Sequence, residues 1–427
     1  MLRDMKLCLL NDSFPPVIDG VANAVVNYAK IIQQNGGNVT VVTPRYPNVE
    51  DNYPFEVKRF SSVDTTKIFG YRAGNPVDVN AVRRLAAEKF DIMHTHCPIA
   101  SAMLARSIRE VHDAPLILTY HTKFDLDFQK AIKNESLQKM ALKALMSNIN
   151  ACDEVWVVSR GAGDNLRGLG YEGELRVMEN GVDFPKGKAD PEIVARLRQK
   201  YEIKDDEFIF LFVGRMMWYK GIRLLLDSLK RVDETGAKYR MLFVGDGIDR
   251  KDIEEYTEKL GLSQKTVFVG AVRDREELRG YFSMAELFLF PSSYDTNGIV
   301  VREAAACGLG SILIKDSCAA EGVEHQKTGL LAEENPEGVA AQMIYALQNR
   351  AEMPNLGQRA LDGIYISWDT AVKCAVERYG EVLEEFRSGK MVQRRSTFDG
   401  VFSTVGSIAK DMERIHSVMS KMHSKKD

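Results

Sequence analysis

The chain has no long apolar run, no paired cysteines and no excess of either charge, and each absence removes a class of function. No stretch approaches the roughly 18 apolar residues that a membrane-spanning helix needs. The opening MLRDMKLCLLNDS lacks the apolar core of a secretory signal and reads as a first strand. Cys8, Cys97, Cys152, Cys307, Cys318 and Cys374 are dispersed without a CxxC spacing. They read as small buried hydrophobes in a reducing cytosol rather than a disulfide framework. A net charge of −3 gives no global attraction for nucleic acid. There is no internal repeat or low-complexity block. A three-glycine dinucleotide fingerprint is also missing: Gly245-Asp246-Gly247 is too short for one and reads as a turn. That argues against a nicotinamide-dependent oxidoreductase.

What remains is an ordinary globular composition, 45% apolar and 27% charged, in 427 residues, enough for two to three domains. Short apolar runs alternate with helical patterns. The first series is Lys6–Leu10, Val39–Thr43, Asp91–Thr95, Leu116–Tyr120, Val155–Ser159 and Leu175–Met178. The second is Phe208–Val213, Met241–Gly245, Val267–Gly270, Leu287–Phe290 and Ser311–Ile314. Runs without polar alternation suit strands covered on both faces, hence parallel sheets with crossover helices. Two series predict an α/β protein of two Rossmann-like doubly wound domains, at 1–185 and 186–367. The stretch from Asn180, NGVDFPKGKADPEIVARL, is rich in Gly, Pro and Asp and reads as the linker. A late helical pattern runs from Trp368 to Phe386.

The densest chemistry lies in PSSYDTNGIVVREAAACG, residues 291–308. It follows an apolar strand and opens a helix, with Asp295 and Glu303 eight positions apart. Eight helical residues advance about 12 Å, so the two carboxylates can address different parts of one extended ligand. Between them, the amides around Thr296 to Val300, those of Gly298, Ile299 and Val300 among them, would be unpaired at a helix start, where the dipole favours an anion. A carboxylate, an anion site and a second carboxylate suit a sugar, a diphosphate and a ribose in line. Upstream, Arg215 and Lys220 flank the turn after the strand FIFLFV. A solvated basic turn explains either cation alone; together, at a strand's carboxyl end, they can neutralise a diphosphate leaving group.

In the first domain, Pro15 and Pro16 stiffen the loop after the first strand, and Gly20 stands where a helix begins. His121 follows another strand, in LTYHT, where an imidazole can donate and accept hydrogen bonds. His94 and His96, two apart on a strand, would face one side, a spacing open to a metal but without a third ligand nearby. Asp125-Leu-Asp127 is a two-residue coincidence with a metal-binding pattern. The residues call for no metal.

These motifs resemble the retaining nucleotide-sugar glycosyltransferases of family 4, from about Lys6 to about Phe386. The match includes FPPVIDG, YHT, ENGVDF (Glu179 to Phe184), the Arg215–Lys220 turn and the Gly298–Glu303 segment. Two positions depart from the pattern, which has glutamate at both: Asp295 is one methylene shorter, and Tyr219 precedes Lys220. The resemblance implies two domains facing across a cleft, with the helix at 368–388 returning to the first domain. It implies transfer of a hexose from a nucleoside-diphosphate sugar, a UDP-sugar, with retained configuration, no metal and no established protein nucleophile. By the same likeness Glu303 holds the ribose and Asp295 the sugar hydroxyls. Gly20 lets backbone approach the diphosphate, His121 lines the sugar, and His94 and His96 line the acceptor cleft. FPPVIDGVANAV with YHT looks most like the bacterial branch that glycosylates diacylglycerol and other membrane lipids, at the inner face of the plasma membrane. A soluble or polysaccharide acceptor, and a sugar-nucleotide-binding protein without activity, are the alternatives.

Residues 391–427 fall outside the resemblance. Val401, Val405, Ile408, Met412, Ile415, Met419 and Met422 step by 4 and 3, predicting a helix with one apolar seam. Lys410, Arg414, Lys421, Lys425 and Lys426 make it basic. The seam suits self-association, packing on the body of the protein, or an anionic membrane.

Overall fold

The computed structural model describes residues 2–17, 19–66, 71–394, 396 and 399–423. Within that range the side chains at 126–127, 130–131, 413 and 415–423 are not described. The chain divides into two compact units, Met1–Glu179 with Trp368–Asp427, and Asn180–Ser367.

The first unit is built on strands β1 (Lys6–Leu10), β2 (Asn38–Pro44), β3 (Glu56–Phe60), β6 (Ile92–Thr95), β7 (Leu116–Tyr120), β8 (Glu154–Val157) and β9 (Leu175–Val177), with β4 (Ser62–Val63) and β5 (Ala73–Gly74) forming a small antiparallel pair. The seven strands form one parallel sheet in the order β3-β2-β1-β6-β7-β8-β9. The order reverses between β1 and β6, where the strand ends of a doubly wound sheet leave a crevice. The runs read from the sequence are six of its seven strands, the edge strand β9 included; β6 and β7 are buried at every residue. Strand β3, EVKRF, has no apolar run because it lies at the sheet edge, half in water. The helix Trp368–Arg387 belongs to this unit. Its Arg378 meets Glu154 at 2.5 Å, and the Trp368 ring lies 6.1 Å from Tyr28.

The second unit has strands β10 (Phe208–Val213), β11 (Tyr239–Val244), β12 (Thr266–Gly270), β13 (Leu287–Phe290), β14 (Ser311–Ile314) and β15 (Leu330–Ala332). They pair in parallel in the order β12-β11-β10-β13-β14-β15, reversing between β10 and β13. The three-residue edge strand β15 was too short to read from sequence. The stretch expected as a linker is packed onto this unit. Gly187 N donates to Ala306 O and Ala189 N to Ser283 Oγ, both at 2.8 Å, and Asn180 O accepts from Arg302 at 2.9 Å. The division therefore falls before Asn180 rather than after 185, and Pro191–Lys200 is a helix capped by Asp190.

The terminal helix Asp399–His423 corrects the expected seam. Its buried residues among those described are Phe402, Val405, Gly406 and Ala409, and the helix packs over the helices Val79–Ala86 and Ala100–Arg109. Val401, Ile408 and Met412 face outward, 51%, 47% and 38% exposed, so only Val405 of the described seam is covered. Ile415, Met419 and Met422 lie outside the described side chains. What fixes this face is a charge. Arg106 is buried to 1% exposure, bonds Asp399 Oδ1 and Asn148 Oδ1 at 2.6 Å, and lies 4.2 Å over the Phe402 ring. Asp399 also accepts from Ser396 N, three residues ahead of it, at 2.5 Å. No described helix is long and apolar enough to cross a membrane.

Removing one partner of a buried ion pair strands the other charge, at a cost of about 3 kcal/mol. Asp399→Ala should therefore destabilise the first unit by that amount in denaturant titration, and truncation after residue 390 by more. Wild-type stability in both variants would show that the helix is an appendage.

Candidate active site

In the second unit, β10 and β13 lie side by side, with Phe210 opposite Leu287 and Leu211 opposite Phe288. Their carboxyl ends release two loops at the switch point. One carries Arg215 and a short 3-10 turn, Trp218–Lys220; the other runs from Pro291 to Gly298. Gly221 locks them together. It has φ +76°, and a Cβ there would stand 2.2 Å from Pro291 O, which no side chain permits. Lys220 is thereby held against the second loop, its Nζ 2.5 Å from Asp295 Oδ1. Asp295 Oδ2 is buried without a hydrogen-bond partner among the described residues. A buried acceptor with no donor is a place where a ligand hydroxyl gains most.

Gly298 starts the helix Ile299–Ala306 at φ +61°, with no side chain capping it. A Cβ there would lie 2.8 Å from that of Ala319, so both backbone and space demand glycine. The amides of Ile299 and Val300 have no acceptor among the described residues, leaving a helix N-terminus open toward an anion. Glu303, on the same helix, bonds Arg275 Nη2 at 2.8 Å, and Arg275 also reaches Asp183 at 3.7 Å. Burial pushes the Glu303 carboxyl above its usual range, opposed by Arg275 and reinforced by Asp183. Arg275 was not singled out from the sequence; nothing in RDREEL distinguishes it from a solvated helix start. The Gly245-Asp246-Gly247 turn abuts the Arg215 loop, Met216 N donating to Asp246 O at 3.0 Å.

In the first unit, the carboxyl ends of β1, β6 and β7 carry the other candidates. His94 is fully satisfied: Nδ1 meets Tyr379 Oη at 2.6 Å and Nε2 meets Thr119 Oγ1 at 2.7 Å. It is buried to 1% exposure and ties the returning helix to the sheet, which removes it from the candidates for contact with a ligand. His96 Nδ1 meets His121 Nε2 at 3.0 Å, and its Nε2 is buried without a partner among the described residues. The His94 and His96 rings are 4.1 Å apart. Among the described residues, no three His, Cys, Asp or Glu side chains gather to hold a metal. Gly20 opens the helix Gly20–Gln34, which Asp19 caps through Ala22 N at 2.7 Å. Nothing stands within 4 Å of where its Cβ would be, so Gly20 fronts open space and is not required by packing. Of Asp125-Leu-Asp127, Asp125 accepts from Asn165 at 3.2 Å, and the Asp127 side chain lies outside those described.

Asn11 and Asp12 were missed. Asp12 Oδ1 accepts from Ser101 N at 2.8 Å, 89 positions away, while Asn11 Oδ1 and Asp12 Oδ2 are buried without partners among the described residues. Burial pushes the Asp12 carboxyl up to about 6, against the pull of Cys97 and Ser101. A lone Asn-Asp after a strand carries no signal in the sequence; only the fold sets Asp12 beside Cys97 and Ser101.

Burial lowers the basicity of His94, His96 and His121, the last to about 3. A histidine depressed in the folded state binds its proton more readily when unfolded. Stability is then full above about 6.5 and is lost as pH falls toward the folded values. The first unit should melt lower at pH 5.5 than at pH 7.5, and His94→Gln should flatten that dependence. A melting temperature independent of pH in this window would contradict the neutral buried cluster.

Residues 194–362 match Glycosyl transferases group 1, and residues 18–185 match Glycosyltransferase Family 4. Alpha-monoglucosyldiacylglycerol synthase from Acholeplasma laidlawii is 25% identical over 369 residues, 83% of this chain and 92% of that one. The enzyme of the same name from Streptococcus pneumoniae is 24% identical, over 71% of this chain and 70% of that one. Among solved structures, Anabaena HepE in complex with UDP superposes with a TM-score of 0.72 at 19% identity, covering 88% of this chain and all (100%) of that one. That likeness shows a shared fold of two Rossmann-like domains. With both of its units matched, the chain belongs to glycosyltransferase family 4.

Proposed function

We propose that the protein transfers a hexose from a UDP-sugar to a hydroxyl of a membrane glycerolipid such as diacylglycerol, with retention of configuration. The observation that carries the reading is the assembly at the β10–β13 switch point. The loop after β10 carries Arg215 and Lys220, the latter bonded to Asp295, and the loop and helix after β13 carry Asp295, the open amides of Ile299 and Val300, and Glu303. The names of the two synthases support the lipid acceptor, and the UDP in the HepE complex supports the donor base.

In this reading Glu303 accepts the ribose hydroxyls and Asp295 those of the sugar. Arg215, Lys220 and the helix amides take the charge that develops on the diphosphate, so the chain's own groups do what a divalent cation does elsewhere. The bond from the anomeric carbon to the diphosphate oxygen breaks while the acceptor oxygen bonds that carbon from the same face. The acceptor proton passes to the departing phosphate, and no protein nucleophile takes part. Gly20 gives the diphosphate a close backbone approach. His121, neutral and held by His96, hydrogen-bonds the sugar, and His96 lines the acceptor side. The enzyme works in the cytoplasm against the inner membrane face, with Val401, Ile408 and Met412 as the contact to lipid.

A thermal-shift panel of UDP-, GDP- and ADP-sugars, followed by turnover with diacylglycerol and with soluble glycans, tests donor and acceptor. Magnetic resonance of the product's anomeric signal tests retention. A stabilised protein that neither transfers nor hydrolyses any donor would instead be a sugar-nucleotide sensor.

Glu303→Gln and Asp295→Asn each remove a charged hydrogen bond worth about 1.5–3 kcal/mol, a ten- to hundredfold loss. For Glu303→Gln the loss should appear in nucleotide affinity; for Asp295→Asn it should appear in kcat. Unchanged kinetics in both would sink the assignment. Arg215→Ala and Lys220→Ala should weaken UDP far more than uridine, and wild-type turnover should survive a chelator. For membrane contact, the pair Ile408→Glu and Met412→Glu should reduce sedimentation with anionic vesicles while UDP binding persists; undiminished sedimentation would move the contact elsewhere.

A further inference from the structure

Tyr219 stands where the motif of the resembling enzymes has a glutamate, and its surroundings give that exchange a physical sense. The Arg215 guanidinium lies 5.8 Å from the centre of the Tyr219 ring, and Lys220 Nζ lies 5.4 Å from it. Both are within the reach of a cation–π contact. The ring packs in turn against Tyr294, 4.7 Å between centres, the residue next to Asp295. Tyr219 is thus seated between the two loops of the switch point, with a cation on each side in sequence. Arg215 is exposed, and its guanidinium has no ion pair among the described residues.

The alternatives at this position differ in what they do to charge. A carboxylate here could hold the same two cations, but it would neutralise one of them and compete with an incoming phosphate. An aromatic face orients a cation through its quadrupole and leaves the full charge in place. Lys220 is already shared with Asp295 at 2.5 Å, so Arg215 is the cation whose charge is intact. A ring beneath it restricts a long side chain that water would otherwise leave in many rotamers, lowering the entropy lost on binding an anion.

We infer that Tyr219 is a positioning residue that holds Arg215 and Lys220 toward a diphosphate without neutralising them. This rests on the donor site proposed above, and it assigns Tyr219 no contact with substrate. The experiment is calorimetric titration of wild type, Tyr219→Phe, Tyr219→Leu and Tyr219→Glu. The probes are UDP, GDP and ADP and the matching free nucleosides, each at several salt concentrations. If wild type binds none of the three diphosphates, the donor site itself fails. If it binds one, the inference is tested on that ligand.

Tyr219→Phe keeps the ring and should retain affinity within about twofold. Tyr219→Leu should lose about five- to thirtyfold for the diphosphate, the size of two exposed cation–π contacts, and nothing for the nucleoside. Tyr219→Glu should lose at least as much, with a shallower dependence on salt, because one cation is then paired before the ligand arrives. Melting curves report whether the Leu variant is folded. If it is not, the Phe and Glu variants decide by the salt slope alone. Wild-type affinity in Tyr219→Leu, equal losses for nucleoside and diphosphate, or a Tyr219→Phe variant as weak as the Leu variant would each overturn the inference.

Discussion

The second unit depends on one adjacency, the parallel pairing of β10 with β13. A parallel sheet sends every strand's carboxyl end to the same edge, and the reversal of order here leaves the two neighbouring loops uncovered by a crossover between them. Arg215 and Lys220 leave from one strand, Asp295 and the Gly298 helix start from the other, with roughly 75 residues intervening. Gly221 against Pro291 O sets how closely the loops approach. A side chain in place of Gly221 would push the two loops apart before it altered Lys220 or Asp295 themselves.

The site is poised by pairing cations with carboxylates. Asp295 is held by Lys220 and Glu303 by Arg275, so neither carboxylate is an isolated buried charge. Such pairs repay part of the desolvation that burial costs them, and they keep acceptor capacity in reserve: Asp295 Oδ2 is still unbonded among the described residues. A ligand that supplies hydroxyls there can use that capacity without first breaking the pair. Asp295, one methylene shorter than the glutamate of the resembling motif, meets Lys220, with the Tyr294 and Tyr219 rings packed together beside it.

The first unit uses its polar groups differently. His94, Arg106 and Arg109 are buried and committed to structure. His94 ties Tyr379 to the sheet, Arg106 ties Asp399, and Arg109 meets Asp153 at 3.3 Å and Arg394 O at 3.0 Å. These groups join segments nearly 300 positions apart in the chain, which is how residues after Trp368 become part of a unit that begins at the amino terminus. The carboxyl ends of this unit's strands also carry Asn11, Asp12 and His96, each with a buried polar atom unpaired among the described residues, in contrast to the polar residues that serve the fold.

Much of this was legible in the sequence, and the reasons are local. The central strands are continuous apolar runs because both faces are covered. The Asp295–Glu303 segment and the Arg215–Lys220 turn announce themselves because helix starts and strand ends have spacing rules that need no partner. The edge strands β9 and β12 were read from their runs, whereas β3, whose EVKRF mixes charged and apolar residues, and β15, LLA, were missed. The terminal helix was read as a seam from its 4-and-3 spacing. Yet the buried face is the one carrying Phe402 and Ala409, because Arg106 holds Asp399 and so sets the rotation of the helix. His94 and His96 look equivalent in the chain, and only the arrival of Tyr379 and Thr119 commits the first to structure. Arg275 beside Glu303, and Asp12 beside Ser101, arise from contacts across 28 and 89 positions. The sequence by itself determined the elements and their chemistry, since periodicity and caps are local properties. Tertiary structure alone decided which polar groups are satisfied, since a hydrogen-bond partner is chosen by proximity in space and not along the chain.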